Sequence, residues 1–472
     1  MATINEPIQL LQFVNDNLKP KEKEKKKNGE VFTPIILIDE MLDKLDENYR
    51  KQHNSSIFAD KSLKWYDPAV GIGNFAIIIY MRLLVGLADS IPDEEDRKRH
   101  IIENMLYMSE LNPNNTLVCK RVFCSNSYKL NLYQGDSLKL NARDFWKLDN
   151  FDVVIGNPPY NSGGTKTSGE KNIYALFSIM GLDLLKKGGY LVYIHPPTYR
   201  ISEHLIKHVS VDLNDIYTKK QIKFIRMFSI MQTKKIMDVM INVDYVIVKN
   251  DDNDHKTKTK IIDTTQNEYN ILILPNRFIP NYGINIMSKL YEMAKKNGNL
   301  NLISTSEMHT QFIKYDNNSK YKNIHGIISS GIKICRTNNI HSLQSKRKLI
   351  INGIGSYNYV LYDKTGTYGV TQTPKSIIEP NRNAVKLIQS KLFHYITEST
   401  KIIGNNLIVK TSLFLPFISD EIKIEDDTDL YKYFNFSDTE IEDIENTQIP
   451  IYKNIELTCD GKELFNKNGG EH

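Results

Sequence analysis

The chain has 472 residues, 40 % of them apolar and 10 % aromatic, enough to bury more than one core and too many for wholesale disorder. Its 61 basic and 56 acidic side chains leave a net charge of +5, too near balance to name a partner, but residues 311–410 carry fifteen Lys and Arg against four Asp and Glu, and residues 411–472 carry five against fifteen. Four cysteines (Cys119, Cys124, Cys335, Cys459) in no CxxC pair exclude a disulfide framework and offer no zinc pattern. With no apolar signal core in Met1–Leu18 and no apolar run of the roughly 18 residues a membrane span needs, the expectation is a soluble, cytoplasmic protein with no membrane partner.

Residues 1–28 read as a short amphipathic helix (Ile8, Leu10, Leu11, Phe13, Val14) and a charged linker, Lys19–Lys27. From there to about residue 255, short β-rich runs alternate with helical stretches, the pattern of a doubly wound, Rossmann-like α/β sheet. Seven strands are expected: Leu63–Tyr66, Leu106–Ser109, Leu132–Gln134, Val153–Ile155, Tyr190–Ile194, Ile222–Met227 and Val243–Val248. A charged helix over Asp93–Asn104 lengthens the link between the first two. The polar run Asp251–Lys260 reads as a surface loop or link, so residues 256–299 are taken as a connection. Residues 300–425 form a second, α+β domain with one helix over Asn383–Thr397, and residues 426–472 an acidic helix and tail. Ser437 and Glu440 make a capping box there.

Chemistry concentrates at four strand ends. Asp67-Pro68-Ala69-Val70-Gly71-Ile72-Gly73-Asn74-Phe75 is a glycine turn into a helix, where backbone N–H groups can meet a ligand closely. Glu110, followed by Leu111, ends the second strand, where a carboxylate can accept both hydroxyls of a ribose. Gly135-Asp136-Ser137 ends the third, and Asp136 is placed to accept from an adenine amino group. The fourth ends in Gly156-Asn157-Pro158-Pro159-Tyr160. Two prolines fix a rigid turn and remove donors, leaving the Asn157 side-chain oxygen and the Pro158 carbonyl to face one planar amino group, with Tyr160 a flat surface for a base. Gly164 and Gly169 mimic a phosphate loop, but Glu170-Lys171-Asn172 stands where Lys-Ser/Thr is needed, so an ATPase is rejected.

Taken in order, Phe32-Thr33-Pro34, Asp67–Phe75, Glu110, Gly135-Asp136, Asn157–Tyr160, Asn172–Phe177 and Gly188–Pro196 resemble the S-adenosylmethionine-dependent DNA adenine-N6 methyltransferases whose target recognition domain is C-terminal. The resemblance covers residues 29–250 well and the rest loosely. It implies a class I methyltransferase catalytic domain over 29–255 and a DNA target recognition domain over 300–425. The cofactor would be S-adenosyl-L-methionine, with no metal and no covalent intermediate. Phe32, Thr33 and Pro34 would touch its methionine part; Asp67, Ala69, Gly71, Gly73, Asn74 and Phe75 would hold its carboxylate and amino group, and Asn157 would border it. Glu110 and Leu111 would hold the ribose, and Asp136 and Ser137 the adenine. Asn157, Pro158, Pro159 and Tyr160 would be catalytic, with Tyr160 and Phe177 on opposite sides of a flipped base. The family usually has a small polar residue where Ile72 stands, so Ile72 is expected to crowd the cofactor, and a Gly and an Asp where Met108 and Glu110 stand.

The implied partner is double-stranded DNA, with a separate restriction endonuclease if the enzyme is the modification half of a system and none if it is an orphan. Lys346, Arg347 and Lys348, in a stretch with Tyr357, Tyr359 and Tyr368, are the expected phosphate contacts. The cationic loop Asn161–Lys171 is expected to order over DNA. Two rival readings share the motif: methyltransferases of RNA or of a protein glutamine also use an Asn-Pro-Pro-Tyr turn, and a non-catalytic DNA-binding protein could keep the fold.

Overall fold

The computed structural model describes residues 3–6, 9–10, 12, 31, 33–161, 172–203, 205–206, 211–310, 316, 318–328, 331–353, 357–402, 409–447, 451–457 and 463–465. Of the N-terminal piece, Leu10 is described and buried, whereas Ile8, Leu11, Phe13, Val14 and the charged run lie outside the described residues. The chain divides into two compact units, Met1–Phe278 and Ile279–His472.

The first unit is built on one sheet. Its strands are β1 (Trp65–Asp67), β2 (Leu106–Glu110), β3 (Asn131–Gln134), β4 (Phe151–Gly156), β5 (Leu185–His195), β6 (Lys220–Phe228), β7 (Val243–Asp252), β8 (Lys258–Ile262) and β9 (Glu268–Leu272), in the order β3-β2-β1-β4-β5-β7-β6-β8-β9. From β3 to β5 every pairing is parallel, while β7 runs antiparallel to both β5 and β6. Parallel strands covered on both faces must be apolar throughout. Accordingly β1 and β2 are buried at every position, and Tyr66 of β1 stacks on Phe151 of β4 at 4.7 Å.

All seven expected strands are present, so the doubly wound class I arrangement holds, but the sheet has nine. β8 pairs parallel to β6, and β9 pairs antiparallel to β8. The expected 256–299 connection is therefore corrected: the sheet runs to Leu272 and the unit to Phe278. Lys258-Thr259-Lys260-Ile261-Ile262 begins with two lysines directly after the polar run Asp251–Thr257, and so reads as a polar link although Thr259, Ile261 and Ile262 are buried.

Helix α1 (Ile35–His53) buries Leu37, Ile38, Met41, Leu42, Leu45 and Tyr49 on one face, and Asn54 in the left-handed conformation ends it. Helix α2 (Asn74–Gly86) follows β1, α3 (Pro113–Val122) follows β2, and α4 (Tyr174–Asp183) precedes β5. The expected charged helix is real over Glu94–His100, capped by Asp93, and gives way to one wide turn over Ile101–Met105.

The second unit is α+β. One sheet joins β10 (Tyr321–Ile328), β11 (Gly331–Thr337) and, further on, β14 (Gly369–Val370), in the order β11-β10-β14. The other has the order β15-β12-β13-β16-β17, from β12 (Lys348–Ile351), β13 (Tyr357–Asp363), β15 (Lys375–Ile378), β16 (Ile451–Leu457) and β17 (Glu463–Phe465). Its helices are α5 (Ile284–Asn297), α6 (Arg382–Ile388), α7 (Lys391–Thr400), α8 (Asp427–Tyr433) and α9 (Asp438–Asn446). The helix expected over Asn383–Thr397 is thus two, because Ser390 stops the first and caps the second through the Phe393 N–H. The acidic end is not a free tail: α9 carries the Ser437/Glu440 capping box, and β16 runs parallel to β13 from Ile451↔Tyr357 to Leu457↔Asp363.

Candidate functional site

In a doubly wound sheet ligands bind beyond the carboxyl ends of the strands where the order reverses, here between β1 and β4. The turn after β1 is shaped by Gly71 (φ 58°) and Gly73 (φ 103°), both in conformations that other residues adopt only under strain. The Gly71 N–H donates to Glu110 Oε2 at 2.8 Å and the Asn112 N–H to Oε1 at 2.7 Å, so the carboxylate at the end of β2 is held from both sides. Asp67 lies beneath this turn. Burial pushes its carboxyl up to about 8, against the opposing effect of the Ala69 N–H at 3.0 Å, and its Oδ2 has no partner. A β-carbon at Gly156 would stand 2.8 Å from Asp67 Oδ1, so only glycine lets β4 end this close.

Across the gap, Asn157 is oriented by the segment ahead of α1. Its amide nitrogen donates to the Val31 carbonyl at 3.0 Å and to Thr33 Oγ1 at 3.2 Å, and its Oδ1 is left without a partner. Because the Val31 carbonyl can only accept, the amide nitrogen must face it, and the oxygen is the free end. Pro158 and Pro159 add no N–H donor. The Tyr160 carbonyl accepts from the Ile173 N–H at 3.1 Å, tying the turn to the start of α4, whose Phe177 lies one helical turn further along. Beneath α4, the Tyr174 and Thr198 hydroxyls share a hydrogen bond at 2.6 Å, and the Tyr174 ring stacks on His195 at 5.7 Å. His195 in turn meets the Pro196 carbonyl at 2.8 Å and the Tyr217 hydroxyl at 3.0 Å, and burial pushes its imidazole down to about 4.

These elements enclose a cavity of about 450 Å³, within the roughly 300–1,000 Å³ usual for small-molecule sites. Thr33, Ala69, Gly71, Asn74, Phe75, Glu110, Leu111, Asp136, Ser137, Asn157, Pro158, Pro159, Tyr160 and Phe177 all line it. Pro34, Asp67 and Gly73 do not: Pro34 caps α1, Gly73 caps α2, and Asp67 supports the turn from below. Phe32 and residues 162–171, most of the cationic loop, lie outside the described residues.

The expectation that Ile72 crowds the cavity is corrected, since its side chain is 7 % exposed and is not part of the lining. Sequence reading missed Val31, Asn112, Asn115, Leu138 and Ile173, which do line it. For Asn112 a signal existed: an Asn before Pro113 is an N-cap followed by proline at the first helical position.

Buried polar atoms without partners gather here: Asp67 Oδ2, Asn74 Oδ1, Asn157 Oδ1 and the Tyr160 hydroxyl. Unsatisfied groups of this kind are rare in a folded protein and suit a site completed by a ligand. A cationic amino group, a ribose and a purine would meet acceptors at the glycine turn, at Glu110 and at Asp136, so the residues fit S-adenosyl-L-methionine. Among the described residues no group of three or more His, Cys, Asp or Glu could hold a metal ion, and no helix is long and apolar enough to cross a membrane.

In the second unit, the expected phosphate contacts separate. Lys348 is fully buried with its Nζ 2.8 Å from Asp363 Oδ2, so it is a structural ion pair and not a DNA contact. Arg347 bridges Glu379 at 3.0 Å, and Lys346 alone of the three is exposed without an acidic partner among the described residues. β12 is buried at all four of its positions, Lys348 included, while Arg347 just ahead of the strand is exposed.

Comparison with known proteins agrees with this geometry. Residues 69–232 match the family of the Eco57I restriction-modification methylase. An uncharacterized adenine-specific methylase of Mycoplasma pneumoniae is 28 % identical over 272 residues, 43 % of this chain; the chain thus spans 62 % of the length of that relative. Among solved structures, the type IIL restriction-modification enzyme MmeI in complex with DNA superposes with a TM-score of 0.53 at 12 % identity, covering 89 % of this chain and 72 % of that one. The ATP-dependent type ISP enzyme LlaBIII bound to DNA gives 0.50 at 12 % identity, covering 94 % and 41 %. At such identities the two structures show the fold alone. The family match spans the glycine turn, the Asn-Pro-Pro-Tyr turn and the strands between them, so the matched stretch of this chain is similar to an Eco57I restriction-modification methylase domain.

Proposed function

We propose that the protein is a site-specific DNA methyltransferase that moves a methyl group from S-adenosyl-L-methionine to N6 of an adenine flipped out of duplex DNA. The observation that carries this reading is the orientation of Asn157: its amide nitrogen is committed to Val31 and Thr33, and its oxygen remains an acceptor at a cavity also lined by Pro158 and Tyr160. The two acceptors, Asn157 Oδ1 and the Pro158 carbonyl, suit an exocyclic amino group and not a carbonyl.

When bound, the cofactor supplies an electrophilic methyl on a sulfonium sulfur. The chain's own residues do the rest. Asn157 Oδ1 and the Pro158 carbonyl accept the two N6 hydrogens, drawing the nitrogen lone pair out of the ring and toward the methyl. Tyr160 and Phe177 hold the base by its faces, with stacking worth about 1–3 kcal/mol per base, against a flipping cost of a few kcal/mol. Once the methyl is transferred, the nitrogen sheds one hydrogen as a proton past these acceptors to solvent. Alignment does most of the work, and no side chain need form a bond to the substrate. In this reading Thr33 with Ala69, Gly71, Asn74 and Phe75 of the glycine turn hold the amino-acid end of the cofactor, Glu110 the ribose and Asp136 the adenine. The enzyme would work in the cytoplasm, beside a separate endonuclease of matching specificity.

The test is to supply labelled S-adenosyl-L-methionine with duplex DNA, RNA and a protein extract in separate reactions and identify the product. N6-methyladenine in DNA that disappears in Asn157→Ala is expected. Label confined to RNA or to glutamine would overturn the substrate, and DNA binding with no transfer would leave a non-catalytic protein.

A further inference from the structure

The net positive charge of residues 311–410 is not spread evenly once its ion pairs are drawn. Lys348 is spent on Asp363, Arg347 on Glu379, Lys391 on Glu445 and Lys401 on Glu398. Part of the acidic end is paired within the second unit too, where Glu440 of α9 meets Lys289 of α5 at 2.6 Å. Of the cations left without a carboxylate among the described residues, Lys346 and Arg382 stand apart, and four gather on one hairpin. Lys320, Lys322, Lys333 and Arg336 lie on or beside β10 and β11, and among the described residues none forms an ion pair with a carboxylate. The acids nearest in sequence are engaged elsewhere: Glu307 accepts from Ser342, and Asp316 accepts from the Asn318 N–H.

The register makes this arrangement unfavourable for the isolated protein. Lys322 of β10 sits directly opposite Arg336 of β11, and like charges facing across a strand pair repel. Lysines on an edge strand are often only a guard against edge-to-edge pairing, which would account for Lys333 on β11. It does not account for Lys322, which is on the central strand of the three and packs its ammonium over the Tyr368 ring at 5.8 Å. Past Ile324 the third strand stops, since β14 pairs only with Asn323 and Ile324, and the hairpin continues to Gly331 as a two-stranded ribbon. Lys333 pairs with Gly326 in that part, on the opposite face from Arg336, so cations stand on both faces. A two-stranded ribbon is one of the shapes a DNA major groove admits, and its walls are phosphates.

We infer that the β10–β11 hairpin, through Lys320, Lys322, Lys333 and Arg336, is the surface of the second unit that engages the phosphate backbone of duplex DNA. This rests on the proposed reading that duplex DNA is the substrate. It replaces the Lys346–Lys348 run as the phosphate-binding element.

The test is the salt dependence of binding to a fluorescein-labelled mixed-sequence duplex, read by anisotropy without cofactor. Each phosphate contact contributes about 0.9 to the slope of log affinity against log salt. Lys322→Gln/Arg336→Gln should lower the slope by about 2 and weaken binding roughly tenfold at low salt; Lys320→Gln/Lys333→Gln should do the same. Lys295→Gln/Lys296→Gln, which removes equal charge from the end of α5, should leave the slope near that of the unaltered protein. A wild-type slope in both hairpin variants, or an equal loss in the α5 variant, overturns the inference. Since no methyl transfer is involved, the two readings fail separately. Transfer to DNA with unchanged hairpin slopes sinks the surface and leaves the activity, whereas reduced slopes without transfer sink the activity and leave the surface.

Discussion

The Thr33 hydroxyl accepts a hydrogen bond from the Asn157 amide at 3.2 Å, across 124 positions of sequence. That contact joins the segment ahead of α1 to the turn after β4 and decides which end of the carboxamide is left for a substrate. Thr33→Val keeps the shape and removes the acceptor. With one hydrogen bond worth about 1 kcal/mol, methyl transfer under single-turnover conditions should fall roughly five- to tenfold, with DNA affinity little changed. Asn157→Ala should abolish it. A Thr33→Val enzyme with the unaltered rate would mean that the Val31 carbonyl alone orients the amide.

Glu110 is held by two backbone N–H groups, one on each oxygen. In Glu110→Gln one of those donors must face an amide NH2, and the group also loses its charge. Cofactor affinity measured by calorimetry should weaken roughly 10- to 100-fold, the equivalent of about 1.5–3 kcal/mol for hydrogen bonds to a charged group. The rate at saturating cofactor should stay within roughly twofold, because the proposed reading sets Glu110 at the ribose and not at the methyl.

Most of the first unit was legible because its physics is local. Buried parallel strands read as apolar runs, and glycines, paired prolines and carboxylates at strand ends need no tertiary knowledge to be noticed. What escaped depends on partners far along the chain. Ile72 looked like an obstacle because its neighbours in the turn face a ligand, yet its side chain belongs to the core. β8 looked like a linker because its two lysines continue a polar run, and its place between β6 and β9 is known only from the sheet. Lys348 looked like a surface charge because Asp363, 15 positions on, pairs with it only once β12 and β13 form a sheet. Composition gave the sign of the second unit's charge; only the register of β10 and β11 showed where that charge goes unpaired.

His195 gives the first unit a pH dependence with a definite sign. Burial lowers its folded value from 6.5 to about 4, so between those limits the unfolded chain binds the proton more readily. The stability due to the neutral, stacked ring is therefore complete above about pH 6.5, declines as pH falls, and levels off below about 4, a loss on the order of 3 kcal/mol. Urea unfolding followed from neutral to acidic pH should show it. His195→Asn, which cannot titrate, should start less stable and have a flatter profile. His394 of the second unit, pushed down to about 3, acts in the same direction, so the comparison is between variant and parent. Equal slopes in the two would place the acid sensitivity elsewhere.

Lys348 and Asp363 are both fully buried, and their pairing is tied into the turn that follows β13. Asp363 also accepts from the Thr367 and Tyr368 N–H groups, and Lys348 Nζ also donates to the Lys346 carbonyl. Burial pulls the Lys348 ammonium below its ordinary value while the Asp363 carboxylate works against that. Lys348→Ala would leave a carboxylate in an apolar interior with two N–H donors and no counter-charge, a change that typically costs about 3–5 kcal/mol. The melting transition of the second unit should drop by roughly 10 °C. Lys348→Met/Asp363→Asn removes both charges and should recover much of that loss, because a buried pair is costly chiefly when half of it is taken away. At temperatures where the variants are folded, the salt slope of DNA binding should be that of the parent. A lower slope in the folded Lys348→Met/Asp363→Asn protein would return this lysine to the DNA interface; an unchanged one assigns it to the sheet alone.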